Sequence, residues 1–233
     1  MAQRKPRGQT GYMEIGSNIA YHIVHLPHSK EEIEQWILDH ALAAAGAASL
    51  DLYRLLSPPV RNPEADFDFT LTTIAGTEYL DLQEIVVLPE GARGYEDGRP
   101  VYDTEAMAEA VFQKIAKKSK HYGKPHSPVH LLLYATDWRF RLVDTVVRYL
   151  TLFLVRRRHV FATVTYFTPD DEVSGEFIIL YPVPKEVLAE YEEWHYETRR
   201  KGSRQLVALM DPRTAKLEGS GTVIFPNPFV SRK

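Results

Sequence analysis

The chain has 233 residues, a net charge of −3, 44% hydrophobic and 25% charged residues, and no cysteine. That suits one large domain, or one domain with appendages, and a core that needs no staples. It excludes disulfides, thiolate metal sites, iron–sulfur clusters and cysteine nucleophiles, and it limits any nucleic-acid contact to a local basic patch.

Residues 1–12 (MAQRKPRGQTGY) are basic and polar with no apolar stretch behind them, so they read as a disordered lead-in and not a secretory signal. Residues 13–26 suggest a weak strand or irregular segment. Ser29 and Glu32 have the spacing of a capping box. Ile33, Trp36, Ile37 and Leu42 then give a helix with an apolar face, and the alanines of 41–48 suit tight helix packing. Residues 50–56 read as a second short helix, stopped by Pro58 and Pro59.

Residues 67–73 alternate apolar and polar, Ala75-Gly76-Thr77 signals a turn, and residues 78–88 are β-branched and aliphatic; together they predict an antiparallel hairpin. A Gly- and Pro-rich loop follows over 89–101. Asp103 or Thr104 caps a helix over 105–122, ended by Gly123 and Pro125. Residues 129–135 (VHLLLYA) are almost continuously apolar, as in a strand buried on both faces. A helix over 141–157, strands over 159–167 and 176–181, a charged helix over 185–201 and a strand over 205–210 complete the order.

This order predicts an α/β domain over 13–202, a mixed β-sheet flanked by helices, with 203–233 as a C-terminal extension packed on it. There is no G-x-G-x-x-G, P-loop, H-E-x-x-H or G-x-S-x-G motif. The apolar stretch 149–155 is too short to span a bilayer, so the expectation is a cytoplasmic protein without membrane contact.

The hairpin is the most informative stretch. Asp66 and Asp68 lie at its first strand; Asp81 and Gln83 share one face of its second, while Leu80 and Leu82 share the other. Polar groups inside an aliphatic strand are costly to desolvate unless something coordinates them. A hairpin brings the start of its first strand near the end of its second, so Asp66 or Asp68 approaches Asp81 and Gln83. Clustered carboxylates repel, and Mg²⁺ or Mn²⁺, which prefer oxygen ligands, relieve that repulsion. Asp66, Asp68 and Asp81 are therefore the candidate metal ligands. The alternative is a partly exposed polar face of an ordinary hairpin.

A helix, a hairpin with an Asp at its first strand, an acidic-x-polar triplet in its second, a Lys-rich helix and a buried strand together resemble the PD-(D/E)XK, restriction-endonuclease-like superfamily. The resemblance covers roughly residues 31–138. It implies a restriction-endonuclease-like core and metal-dependent nuclease activity. By this resemblance Asp66, alternatively Asp68, is the first acidic residue and Asp81 the second, and Gln83 stands where the lysine usually is. Gln83 has no charge, but its amide can orient the attacking water.

The helix segment QKIAKKSKHY then gains interest. Lys117 or Lys118 can replace the missing strand lysine, and Gln113, Lys114 and Lys120 can meet phosphate or a base. A solvated basic helix end, favoured by the macrodipole, is the plainer account. Arg139 and Arg141, beside Trp138 and Phe140, form a second candidate nucleic-acid contact. His22, His25 and His28 recur every three residues without a helix beneath them.

Two functions follow as expectations. One is a Mg²⁺- or Mn²⁺-dependent endonuclease with Asp66 (or Asp68), Asp81, Gln83 and Lys117 or Lys118 as catalytic residues, acting on nucleic acid with DNA favoured over RNA. The other is a non-catalytic binding or assembly module on the same fold, forming a homodimer through the 185–201 helix or the C-terminal tail.

Overall fold

The structure is a computed structural model that describes residues 8–15, 19–62, 66–98, 101–202, 205–218 and 222–224. A small antiparallel hairpin, β1 (Gly11–Ile15) and β2 (Ile19–Ile23), precedes α1 (Lys30–Ala47). The helix starts where the capping box requires, with Glu32 N donating to Ser29 Oγ at 3.1 Å and Ser29 N to Glu32 Oε2 at 2.9 Å. Then come β3 (Val60–Arg61), β4 (Phe69–Thr73), β5 (Gly76–Glu84), β6 (Val101–Asp103) and α2 (Thr104–Tyr122). These are followed by β7 (Val129–Tyr134), α3 (Asp144–Arg156), β8 (Phe161–Pro169), β9 (Gly175–Tyr181) and α4 (Lys185–Arg200). Short strands β10 (Leu206–Ala208), β11 (Lys216–Glu218) and β12 (Thr222–Ile224) end the description; β10 pairs with β6, and β11 with β12.

Six strands form the central mixed sheet in the order β3-β4-β5-β7-β8-β9. The first three pair antiparallel, β5–β7 and β7–β8 are parallel, and β8–β9 is antiparallel. Each parallel pair needs a crossover, which α2 and α3 supply. They bury Val111, Ile115, Val147 and Leu150 against Ile85, Leu131, Leu133 and Val164. On the opposite face α1 packs Ile37, Leu38 and Ala41 against Phe69, Leu80, Leu82 and Leu132. All six residues of β7 are buried, as a strand covered on both faces should be. Among the described residues no helix is long and apolar enough to cross a membrane.

Two segments depart from expectation. Residues 50–56 form no helix: Ser49, Tyr53 and Arg54 have φ of 58°, 65° and 47°. The backbone there finds partners on the sheet instead, with Leu55 bridging Thr73 and Leu56 N donating to Thr72 O at 2.8 Å. Tyr53 is buried beneath. Of the basic lead-in, residues 1–7 lie outside the described residues, whereas the next ones are tied down. Gln9 N donates to Asp137 Oδ2 at 3.0 Å, Trp138 N to Gln9 O at 3.0 Å, and Thr10 Oγ1 to Pro169 O at 3.2 Å.

Candidate metal centre

The β4–β5 register sets Phe69 opposite Leu80, so one step further Asp68 and Asp81 come side by side. Phe69, Leu80 and Leu82 point into the α1-side core. Alternation therefore turns the two carboxylates to the other face, beneath α2. Asp81 is only 2% exposed. An isolated carboxylate this deep would be strongly penalised, and three neighbours converge on the pair.

Lys118 reaches in from α2. Its ammonium pairs with Asp81 Oδ2 and donates to the Leu82 carbonyl at 3.0 Å. Tyr122, four residues on and therefore on the same helix face, donates its hydroxyl to Asp81 Oδ2, and its oxygen lies 3.3 Å from the Asp66 carbonyl. Leu82 N donates to Asp68 Oδ2 at 2.7 Å. The two carboxyl groups are close enough to perturb each other's protonation.

Burial and the Asp68 contact push Asp81 up to about 7, against the pull of Lys118 and Tyr122. Asp68 moves the other way: burial works to raise it, but the Asp81 contact, the Leu82 amide and the Lys118 and Lys30 charges outweigh burial and hold it below the usual carboxylate range. Two acids so close divide their protons unequally. Burial, then Asp81, keeps the Tyr122 hydroxyl protonated well beyond the usual phenol range, so it stays a donor.

The sequence candidates separate here. Asp66 does not bring its carboxylate to the pair: the side chain is 79% exposed and lies 4.0 Å from His121 Nε2. Asp68 takes the place beside Asp81. Gln83 lies two residues along the strand from Asp81, but its amide donates to the Glu84 carbonyl at 2.9 Å. Lys117 is exposed while Lys118 enters the site. Gln113 is held by Glu109 at 2.6 Å, and among the described residues Lys114 and Lys120 form no ion pair. Arg139 is engaged twice by the buried Asp137, at 2.8 Å from each carboxylate oxygen, and Arg141 pairs with Asp170. Both arginines are thus partly neutralised within the chain. His22 pairs with Glu14 at 3.0 Å. Tyr122 and the Leu82 carbonyl went unforeseen. The four-residue spacing from Lys118 could have found the tyrosine, whereas nothing in a sequence marks a carbonyl.

Among the described residues no group of three or more His, Asp or Glu side chains is placed to hold a metal ion. The donors present are two carboxylates and the Leu82 carbonyl, all hard oxygens. Mg²⁺ takes one or two carboxylates and keeps several waters, so this donor set fits Mg²⁺ or Mn²⁺. No protein-family model, curated protein or solved structure matches the chain.

Proposed function

We propose that the chain is a divalent-metal-dependent nuclease with a restriction-endonuclease-like core. The observation that carries this reading is Lys118, whose ammonium sits on Asp81 and the Leu82 carbonyl. It offers from a helix the cation that the strand lacks at Gln83. The path α1, β3, β4, β5, α2, β7, with β5 and β7 parallel, supports the family likeness.

In this reading Asp68, Asp81 and the Leu82 carbonyl hold Mg²⁺ or Mn²⁺. The ion supplies Lewis acidity and a more acidic bound water. Tyr122 fixes the Asp81 carboxylate by donating to Oδ2. Lys118 offers positive charge to the phosphodiester as charge develops on its oxygens. Lys114, Lys117 and Lys120 on α2 attract the nucleic-acid backbone, so binding should weaken with salt. Gln83, Arg139 and Arg141 have no assigned step.

The test is thermal unfolding of the wild type and of Asp81→Ala, each with and without excess Mn²⁺, followed by cleavage assays on DNA and RNA. Ligand at a hundred times its Kd stabilises by about 2.7 kcal/mol, which is a rise of roughly 5–10 °C for a domain this size. The expected result is a rise in the wild type that vanishes in Asp81→Ala. The second reading, a non-catalytic module, is favoured by the Gln83 amide turned onto its own backbone. It predicts no such rise and no cleavage.

A further inference from the structure

Resting on the reading of this site as a divalent-metal centre, we propose that Lys118 is a displaceable resident cation: its ammonium occupies the oxygens that the metal takes, and it swings out when the metal binds.

The geometry is one of overlap. Lys118 Nζ contacts Asp81 Oδ2 and lies 3.0 Å from the Leu82 carbonyl oxygen. These are two of the three oxygen-bearing groups that the metal reading assigns. A divalent cation at 2.0–2.1 Å from those oxygens and an ammonium at hydrogen-bonding distance from the same atoms would be two like charges in near contact. In a buried site that repulsion is too large to coexist with binding. One of them must leave.

Lys118 can do so. Its side chain is 21% exposed, against 3% for that of Asp81. It carries its charge on a flexible four-carbon stem near the surface of α2. Asp81 cannot follow it, because the strand fixes the backbone and Tyr122 holds the carboxylate. The outward swing carries the ammonium toward solvent, where it would be open to an approaching phosphate backbone. One motion would then load the metal and present a positive charge to the substrate. Without metal, the ammonium offsets the charge of the buried Asp81 carboxylate.

The inference can be tested without measuring cleavage. The full chain would be treated briefly with an amine-acetylating reagent, with and without Mn²⁺, and acetylation at each lysine read by peptide mass spectrometry. Lys117, exposed in the same helix turn, is the internal reference. The expected result is that Mn²⁺ speeds acetylation of Lys118 several-fold and leaves Lys117 unchanged. Asp81→Asn should speed Lys118 labelling with no metal present. A thermal shift that depends on Asp81, with Lys118 labelled no faster in Mn²⁺, would overturn the displacement and leave the metal site standing. Absence of any Asp81-dependent shift would overturn the metal reading and this inference together.

Discussion

On the α2-facing side of the β5–β7 ladder, Asp68 and Asp81 sit under Lys118 and Tyr122. On the α1-facing side of the same two strands, the buried His130 meets the half-buried Glu78: His130 Nε2 lies 2.7 Å from Glu78 Oε2, and Nδ1 lies 2.8 Å from Thr163 Oγ1. Tyr53 covers the imidazole at 4.8 Å between ring centres. The two clusters differ in charge. The second sets one carboxylate against an imidazole whose burial disfavours its charged form, with the Thr163 hydroxyl on the other ring nitrogen. The first gathers two carboxylates and the Leu82 carbonyl under one ammonium. Only the first offers a set of several hard oxygens of the kind a divalent cation takes.

The sharpest way to break this contrast is cleavage itself. Asp81→Asn should abolish metal-dependent cleavage, and Lys118→Met should lower it by about 10²–10³-fold, the usual cost of one transition-state donor. His130→Gln should leave the rate of the folded protein within a few-fold of wild type. Equal losses in all three, assayed on DNA with Mn²⁺, would erase the distinction.

Stability should show the reverse order. His130→Ala removes the partner of the half-buried Glu78 carboxylate and leaves a cavity, and should cost about 1–3 kcal/mol, read by urea unfolding. Asp81→Asn removes a carboxyl group that the fold holds only with a proton and a counter-ion, and should change stability by about 1 kcal/mol or less.

The two clusters also titrate in opposite directions. Asp81 has a folded value of about 7, above its unfolded value. Folding therefore takes up a proton, and this contribution to stability is complete below the unfolded value near 4 and fades as pH rises toward 7. Asp68, held low, adds the opposite trend at the acid end. His130 is pushed below its usual value, chiefly by burial and against the pull of Glu78. Its contribution is complete above the unfolded value near 6.5 and is lost as pH falls through the folded one. Plotted against pH, stability should thus lose a fall between about pH 4 and 7 in Asp81→Asn and lose a rise below about pH 6.5 in His130→Gln. Thr163→Val should cost about 1 kcal/mol, the contribution of one hydroxyl donor.

Much of the fold was legible along the chain. The capping box at Ser29, the continuous apolar run of β7 and the alternation in β4 and β5 each report a local period, and local periods survive folding. The 50–56 segment is not helical because its propensity gives way to hydrogen bonds on β4 that no nearby residue announces. Within the candidate site, parity alone placed Asp81 opposite the leucines. It could not separate Asp66 from Asp68, which share a parity and differ only in pairing register.

The sequence by itself determined that carboxylates would gather on a hairpin next to a lysine-rich helix, because strand alternation and helix spacing are properties of the local chain. Tertiary structure alone decided that Asp68 and not Asp66 joins Asp81, and that Lys118 and not Lys117 covers them. Adjacent lysines on a helix point about 100° apart. Which one meets the sheet depends on how α2 is rolled against it, and burial of Val111, Ile115 and Ser119 sets that roll. The balance that makes Asp81 hold a proton near neutrality is likewise a product of depth, and depth exists only once both layers of helices have closed on the sheet.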